Sequence, residues 1–295
     1  MTDDAPRAGP WRLGLLLCGN AALATGPLLV RLADTGPVAA GFWRLTLALP
    51  VILVLGWRGW EKGSFGRTGI WFAIAAGVFF ALDIAAWHIG IERTRLGNAA
   101  VFGNSGSVIL VIWGLIAARR MPLRAELAAI AAALCGAALL MGGSLEIGSE
   151  NLVGDLFALL AGILYAIYIL LLRHIRGRVG SWSLLSVSVL AGVPVLFAIA
   201  YGLGERIVPG NWTPLVMLSL LSQIVGQGVL IWALFWFRPL VIGLALLTQP
   251  AIAALTGWIA FSETLSAGDV LGMVLMAAAL VLARIEGPRA GPARP

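Results

Sequence analysis

The sequence has few charged residues and almost no cysteine or histidine. Of 295 residues, 12% are charged, two are cysteine and two are histidine. Soluble domains carry about 25% charged residues, so this composition argues against an ordinary soluble protein. Cys18 and Cys135 lie in separate apolar segments without the spacing of metal ligands, which argues against a metal or redox site. We expect both thiols to be buried as small apolar side chains.

Several sequence patterns of enzymes are also missing. The chain contains no Walker A pattern and no H-E-x-x-H run, so neither ATP hydrolysis nor a zinc protease site is expected. His88 is the single histidine within an apolar segment, which leaves no inward histidine pair and no serine–histidine pair. His174 lies among arginines in a predicted loop, where we expect it to be solvated. We therefore predict no enzymatic activity, no cofactor and no metal.

Long apolar segments make up most of the chain. Hydrophobic residues account for 60% of the sequence, and the mean hydropathy is +0.95. A segment of about 20 apolar residues crosses a bilayer as a helix, because its backbone polar groups are then satisfied internally. The connecting loops leave no room for a soluble domain, so the predicted fold is an all-α polytopic membrane protein. The ten predicted transmembrane helices are 12–33, 36–57, 68–91, 97–118, 124–142, 152–172, 181–203, 213–237, 240–261 and 268–285.

The basic residues are divided unevenly between the two predicted sides of the membrane. With a cytoplasmic N-terminus, fifteen of the twenty lie on the cytoplasmic side and four on the opposite side, as the positive-inside rule requires. Both termini are therefore predicted to be cytoplasmic, and the net charge of +6 requires no nucleic-acid partner. The start of the chain resembles a secretory signal up to Ala24, but the apolar run continues beyond it. We expect this segment to be retained as the first span.

The chain contains two similar halves. The segment RRMPLRAELAAIAAALCGAALLM at 119–141 is similar to FSETLSAGDVLGMVLMAAALVLA at 261–283, at an offset of 142 residues. Each half holds five predicted spans, and an odd number gives the second half the opposite orientation in the membrane. Residues 1–142 and 152–285 are thus predicted to form an inverted 5+5 repeat, followed by a short cytoplasmic tail at 286–295. Secondary transporters recurrently have this design, with the substrate site near mid-membrane.

Two segments resemble the drug/metabolite transporter superfamily. GPVAAGFWRLTLALP at 36–50 is similar to its second-span signature. LALLTQPAIAALTGWIAFSETLSAGDVLGMVLMAAALVL at 244–282 is similar to the last two spans of its EamA-type branch, through Pro250, Gly257 and Glu263. The aromatic-rich character and the AWHIG stretch are most similar to the YddG-type exporters of aromatic amino acids.

The resemblance implies ten spans, a bacterial inner-membrane location, cytoplasmic termini and export without ATP. The first half departs from the pattern, because Val108 and Met121 stand where the second half has Pro250 and Glu263. The resemblance is therefore specific for the superfamily and much less so for the substrate. Small amphipathic metabolites, above all aromatic or hydrophobic amino acids, are the expected cargo, transported by alternating access between the two halves.

The stretch FFALDIAAWHIGIE at 79–92 places two ionisable groups within an apolar span. Asp83 and Arg44 lie on consecutive helices at a similar depth, roughly 12–13 Å from one membrane face. A lone charge at such depth is costly, so we predict a structural ion pair between Arg44 and Asp83. A proton-linked role for Asp83 is the alternative. Trp87 shares the helical face of Asp83, whereas His88 lies about 140° away.

Polar residues and helix breakers recur near the middle of several spans. FGNSGS occupies 102–107, and at the repeat offset Gly106 and Ser107 correspond to Thr248 and Gln249, beside Pro250. Interrupted helices at matching positions indicate a transport site, although close packing without function would also explain small residues there. The predicted substrate contacts are Asn20, Trp87, His88, Asn104, Ser107, Tyr165, Tyr168, Gln223, Gln227 and Gln249. The predicted hinge residues are Gly26, Pro27, Gly103, Gly106 and Pro250.

Two other interpretations of the sequence stay open. The same fold could carry another substrate, such as a nucleoside, a cationic drug or a sugar-linked lipid, or the protein could be a membrane scaffold without transport. The expected partners are a small-molecule substrate and membrane lipids. The sequence leaves the driving force and the oligomeric state open, with a monomer as the working expectation.

Overall fold

The protein is a bundle of helices throughout the part of the chain that the structure describes. A computed structural model describes residues 10–60, 65–94, 96–119, 121–142, 148–176, 179–252, 255, 258 and 265–282. No strand occurs among these residues. The predicted all-α class is thereby confirmed, and its cause is the need of apolar segments to satisfy their own backbone polar groups in lipid.

The helices follow the predicted apolar segments closely. In the first half, the helices are α1 (Pro10–Ala24), α2 (Gly26–Leu32), α3 (Pro37–Trp60), α4 (Gly66–Arg93), α5 (Leu96–Gly103), α6 (Ser105–Ala117) and α7 (Arg124–Gly142). In the second half, they are α8 (Leu152–Ile175), α9 (Ser181–Gly202), α10 (Thr213–Leu218), a π-helix (Ser219–Gln227), α11 (Gly228–Ala233), α12 (Pro239–Leu246) and α13 (Ala267–Leu282).

Six of the described segments are long and apolar enough to cross a membrane. They are Trp11–Leu32, Pro37–Trp57, Gly66–Arg93, Leu152–Ile175, Ser181–Gly202 and Thr213–Ala233. Shorter apolar helices accompany them at Ser105–Ala117, Pro239–Ile252 and Ala267–Leu282. The chain is therefore a multi-pass membrane protein in which several crossings are interrupted rather than continuous.

Among the described residues, three interruptions distinguish the structure from ten continuous spans. The first predicted span is divided at Thr25, the fourth at Asn104, and the ninth at Leu247 and Thr248. The eighth contains a π-helix and ends at Ala233 rather than at residue 237, because the chain leaves the helix there and restarts at Pro239. The sequence indicated the breaks in the first, fourth and ninth spans through glycine and proline, but not the π-helix.

The two halves of the chain pack against each other along several helix pairs. Helix α4 packs against α8 and α9, and α3 packs against α9. Helix α6 packs against α12 and α7 against α13, so corresponding spans of the two halves lie side by side. A two-fold relation between the halves would produce this pairing, and the inverted repeat stays a prediction that the pairing supports.

Small residues allow the central helices to approach closely. A Cβ atom on Gly77 of α4 would collide with the Ser188 carbonyl of α9, and one on Gly192 would lie 3.1 Å from the Gly77 carbonyl oxygen. Helix α9 is also joined to α3, since Ser183 Oγ donates to the Gly56 carbonyl at 2.8 Å. Close backbone approach of this kind is the usual basis of helix association in lipid.

The two cysteines correct one expectation. Cys18 on α1 and Cys135 on α7 are exposed on the outside of the bundle rather than buried. The expectation of burial was wrong because an apolar side chain in a bilayer can face lipid as readily as it faces the protein interior. Apolar composition therefore identifies a span without identifying its inward face.

Basic side chains hold the loop between α11 and α12 at the end of the bundle where α1 begins. Arg173 and Arg176 donate to the carbonyls of Phe237 at 3.3 Å and Leu234 at 2.6 Å. Arg238 pairs with Glu126 at the start of α7, at 3.1 Å. These contacts place the basic residues at the end of α8 and at the start of α12 on one end of the bundle, as the positive-inside rule predicts for a single membrane face.

Acidic side chains organise the opposite end. Glu205 accepts hydrogen bonds from the backbone N–H groups of Val38 at 3.3 Å and Ala39 at 2.7 Å, which satisfies the free donors at the start of α3. Asp34 accepts from the Gly210 N–H at 2.7 Å. The loop between α9 and α10 is thus tied to the start of α3.

Candidate substrate site

The helix interruptions meet at one internal cavity of about 200 Å³. It is lined from both halves of the chain, by segments of α1 to α5, α8, the π-helix and the end of α12. The lining residues are Leu23, Ala24, Pro27, Arg44, Phe80, Asp83, Ile84, Trp87, Gly103, Asn104, Ala161, Gly162, Tyr165, Gln227, Gln249 and Pro250. A concave, mainly apolar space with a few converging polar groups has the character of a ligand site.

The break between α1 and α2 arises from proline and is satisfied locally. Pro27 lies in the first turn of α2, where its missing N–H removes a donor that would have no partner there. The Thr25 hydroxyl donates to the Ala22 carbonyl at 2.8 Å. Leu23, Ala24 and Pro27 consequently reach the cavity from a bend rather than from a continuous helix.

The break between α5 and α6 depends on close contact with two neighbouring helices. A Cβ atom on Gly103 would collide with the indole of Trp87, and one on Gly106 would collide with the Gly162 carbonyl of α8. The glycines therefore let Trp87 and α8 lie directly against the break. Asn104 stands between the two helices, is 8% exposed and lines the cavity.

At the end of α12, three polar side chains replace the interrupted helical bonds. The Thr248 hydroxyl donates to the Ala245 carbonyl at 2.6 Å, and Asn20 Nδ2 donates to the same carbonyl at 2.7 Å. Gln249 Nε2 donates to Asn20 Oδ1 at 3.0 Å. Asn20 thus adds a donor to a carbonyl that also accepts the Thr248 N–H at 3.1 Å, and it holds Gln249 beside the cavity, where Gln249 and Pro250 are both lining residues.

Two opposite charges face the cavity. Arg44 is 8% exposed and Asp83 is 9% exposed. The Arg44 Nε–H donates to Gln223 Oε1 at 3.1 Å, and its guanidinium carbon lies 5.7 Å from the ring centre of Phe80. Within the described residues, no direct ion pair joins Arg44 to Asp83. The predicted structural pair is thus not formed in this structure, where Arg44 donates to Gln223 instead.

The π-helix supplies two amides to this region. Gln223 is fully buried and bonded to Arg44, whereas Gln227 lines the cavity and is 2% exposed. Gln227 Nε2 donates to the Tyr165 hydroxyl at 3.4 Å. The π-helical geometry is rare and is often found at functional sites.

The structure brings some of the predicted site residues to the cavity and leaves others outside it. Five predicted contacts line it: Trp87, Asn104, Tyr165, Gln227 and Gln249. Three predicted hinge residues also line it: Pro27, Gly103 and Pro250. Gly26 and Gly106 lie at the breaks without lining the cavity. The hinge roles stay predictions.

The remaining predicted contacts lie behind the cavity wall. Asn20 and Gln223 bond lining residues, and Tyr168 is fully buried with its ring stacked on Phe80 at 4.5 Å. His88 is 1% exposed, and its Nδ1 lies 2.6 Å from the Pro37 carbonyl oxygen. Ser107 is buried on α6. These positions favour supporting roles over direct contact.

Six lining residues were not predicted: Leu23, Ala24, Phe80, Ile84, Ala161 and Gly162. Their side chains are apolar or small, as at most positions in the spans, so the sequence does not distinguish them. Phe80 could have been found, because it precedes Asp83 by three residues and shares its helical face.

An all-helical membrane protein whose interrupted helices surround a mainly apolar cavity with a few polar groups has the features of a small-molecule transporter. Comparison with known proteins agrees with this class. The sequence profile of the EamA-like transporter family matches residues 11–142 and again residues 152–285. The chain therefore belongs to the EamA-like transporter family, within the drug/metabolite transporter superfamily, and is a membrane transporter.

Individual relatives extend over nearly the whole chain. An uncharacterized transporter of Archaeoglobus fulgidus is 23% identical over 262 residues, which cover 86% of this chain and 89% of that relative. A protein of known crystal structure has a TM-score of 0.75 at 15% identity, covering 94% of this chain and 98% of the other. The second comparison concerns the fold alone.

Proposed function

We propose that this transporter exports amino acids, with aromatic and hydrophobic ones as its main substrates. The observation that carries the proposal is the cavity, where aromatic walls and amide groups converge on one small space. Phe80, Trp87 and Tyr165 supply flat apolar surface, and Asn104 and Gln249 supply donors and acceptors. An aromatic amino acid has the matching division into an apolar side chain and a polar head group.

The volume of the cavity supports a small substrate. Sites for drug-sized ligands occupy about 300–1,000 Å³, whereas this cavity measures about 200 Å³. A nucleoside or an extended cationic drug would require the walls to move apart. The amino-acid interpretation is therefore favoured over the other substrates that the fold could carry.

Alternating access gives the helix breaks a role. The proposed inverted repeat consists of residues 1–142 and 152–285, and both halves contribute interrupted helices to the cavity. Rocking of one half against the other about Gly26, Pro27, Gly103, Gly106 and Pro250 would open the cavity to each membrane face in turn.

The proposed location is the bacterial inner membrane, with both termini in the cytoplasm. The clustering of Arg173, Arg176 and Arg238 at one end of the bundle supports this orientation. A reporter that is active only in the periplasm, fused after Pro295, should be silent. Periplasmic activity of this fusion would refute the orientation and the inverted arrangement of the halves.

Counterflow in liposomes tests the function. Purified protein reconstituted into liposomes should exchange labelled L-phenylalanine against an internal pool of the unlabelled amino acid. The Asn104→Ala/Gln249→Ala double variant should exchange several-fold more slowly, because each polar contact in a membrane protein contributes about 0.6 kcal/mol and at most about 1.7. Asn211→Ala, in an exposed loop, is the matched control and should behave as wild type.

The alternatives give different results in the same assay. Exchange of nucleosides or cationic compounds without exchange of amino acids would transfer the proposal to another substrate class. Wild-type exchange by the folded double variant would remove the site from this cavity. The absence of exchange for every substrate class would favour a scaffold.

A further inference from the structure

Arg44 and Asp83 carry opposite charges at the cavity without pairing directly. Both side chains line the cavity and are more than nine-tenths buried. Buried opposite charges normally form a direct pair, because an isolated charge in lipid is strongly unfavourable. No such pair joins these two side chains in the described part of the chain. Each charge is therefore left facing a space that a ligand can enter.

Arg44 is oriented as a binding group would be. Its Nε–H is engaged by Gln223 Oε1 at 3.1 Å, and its guanidinium carbon lies 5.7 Å from the Phe80 ring centre. A guanidinium has five N–H donors in a planar fork whose geometry matches a carboxylate. The bond to Gln223 uses one of these five donors, and Arg44 lines the cavity, so its other donors are available to a carboxylate that enters.

Gln227 supplies an independent sign of a missing ligand. Its side chain lines the cavity and is 2% exposed, yet its Oε1 has no hydrogen-bond partner among the described residues. Its Nε2 is engaged by the Tyr165 hydroxyl at 3.4 Å. A buried acceptor without a donor is unfavourable, so this atom indicates a donor that arrives with the ligand. An ammonium group has three such donors.

We propose that the cavity binds the head group of a zwitterionic amino acid between Arg44 and Asp83. Arg44 binds the carboxylate, and Asp83 together with Gln227 Oε1 binds the ammonium. The side chain of the substrate lies against Phe80, Ile84 and Trp87. The inference rests on the proposed function and specifies it, because it assigns the head-group recognition to the two charges rather than to the amides alone.

Competition by analogues of a single charge tests this assignment. The full-length protein in liposomes performs counterflow of labelled L-phenylalanine, with unlabelled phenylalanine, phenethylamine or 3-phenylpropionate as competitor. Phenethylamine lacks the carboxylate and 3-phenylpropionate lacks the ammonium. Each analogue should compete at least about tenfold more weakly than phenylalanine, since one buried charge then loses its partner. Equal competition by either analogue in the wild-type protein overturns the proposal.

Two substitutions should change the ranking of the analogues in opposite ways. Arg44→Gln should lose the preference for phenylalanine over phenethylamine and retain the preference over 3-phenylpropionate. Asp83→Asn should lose the preference for phenylalanine over 3-phenylpropionate and retain the preference over phenethylamine. A purely structural role would lower the yield of folded protein or the rate of exchange while leaving the ranking unchanged, and that result would overturn the proposal. Arg67→Gln and Glu150→Gln, both at exposed positions, are the matched controls.

A third substitution keeps the test decisive if neither charge variant folds. Gln227→Leu removes the acceptor without altering a charge, so it should weaken competition by phenylalanine and phenethylamine together and leave 3-phenylpropionate unaffected. An equal effect on all three competitors overturns the assignment of the ammonium subsite. Arg44→Lys keeps the positive charge and should weaken phenylalanine binding less than Arg44→Gln.

The outcome also separates this inference from the proposed function. If phenylalanine is exchanged but the ranking is the same in every variant, the function stands and the head-group assignment fails. A further outcome is exchange of labelled leucine in place of phenylalanine, with weak competition from the leucine analogues that lack the carboxylate or the ammonium. In that case the head-group assignment stands and the aromatic preference fails. If no amino acid is exchanged, both fail.

Discussion

Asn20 on α1 accepts a hydrogen bond from the Gln249 side-chain amide at 3.0 Å. The same asparagine donates to the Ala245 carbonyl at 2.7 Å and to the Thr248 hydroxyl at 2.9 Å. One side chain therefore satisfies the interrupted end of α12 and fixes the direction of Gln249. Asn20 is a positioning residue that acts on the cavity through its neighbour.

Asn20→Ala should impair both stability and transport. The variant leaves the Ala245 carbonyl with fewer donors and frees Gln249, so the free energy of unfolding should fall by about 1–2 kcal/mol. Half-maximal phenylalanine counterflow should require several-fold more substrate. Melting in detergent and counterflow measure the two effects, and Cys18→Ala, an outward-facing position on the same helix, is the control.

A double variant identifies the coupling between the two residues. If Asn20 acts through Gln249, the transport defects of Asn20→Ala and Gln249→Ala should not add in the combined variant. Additive defects would show that Asn20 acts independently of Gln249.

His88→Ala should destabilise the protein without altering substrate affinity. The imidazole is 1% exposed, and its Nδ1 lies 2.6 Å from the Pro37 carbonyl oxygen, so it links α4 to the start of α3. Loss of this bond and of the buried ring should lower the free energy of unfolding by about 1–3 kcal/mol. Trp87→Ala provides the contrast, because Trp87 lines the cavity and its loss should weaken phenylalanine competition. Equal changes of affinity in the two variants would place His88 in the site.

Removal of Arg238 should destabilise the end of the bundle where α1 begins. Its partner Glu126 is 2% exposed and also accepts from the Leu123 N–H at 3.0 Å. Arg238→Met removes one salt bridge from this buried carboxylate, so the free energy of unfolding should fall by about 1–3 kcal/mol. Melting in detergent measures the loss.

Neutralising both partners should recover part of that stability. Glu126→Gln/Arg238→Met removes the carboxylate charge together with the guanidinium that binds it, whereas Arg124→Met at an exposed position on α7 should have little effect. A double variant less stable than the sum of the single variants would contradict an energetically coupled pair.

Asp34 should make the stability of the protein depend on pH in the acidic range. A hydrogen bond from the Gly210 N–H holds the pKa of this carboxyl below its ordinary value of 3.8, with smaller contributions from Asn211 and Arg206. A lowered pKa in the folded state means that the contribution is complete above the ordinary pKa of 3.8 and is lost as the pH falls through the folded value.

Comparison of wild type with Asp34→Asn measures this contribution. The difference in melting temperature between the two proteins should be present at about pH 6 and should shrink at about pH 3. Glu150→Gln, at an exposed position, is measured alongside as the comparison variant. A difference that grows as the pH falls would contradict the sign of the shift.

Sequence patterns located the breaks because helix interruption has local causes. Gly26 with Pro27, and the glycines flanking Asn104, change backbone freedom or remove a donor whatever lies around them. The polar residues near mid-span could also be identified from the sequence, because a polar side chain within an apolar span is costly unless it has a partner or a function. Five of the ten predicted contacts consequently line the cavity.

The partner of each polar residue was decided by the tertiary structure. Arg44 and Asp83 were expected to pair because their depths match, but depth says nothing of rotation about the helix axis. Gln223 lies within reach of Arg44 because a π-helix turns that part of the span. The outward position of Cys18 and Cys135 likewise follows from the packing of α1 and α7.

Local features of the chain are sufficient to predict a helical membrane protein, the positions of its helix breaks and the spans that carry polar groups. Hydropathy, glycine and proline act within a few residues, so these properties can be read locally. The tertiary structure alone decided that breaks separated by more than 200 residues meet at one cavity, as the contact between Asn20 and Gln249 illustrates. Lipid-facing and protein-facing apolar residues have the same chemistry, so only packing distinguishes the wall of the cavity from the outside of the bundle.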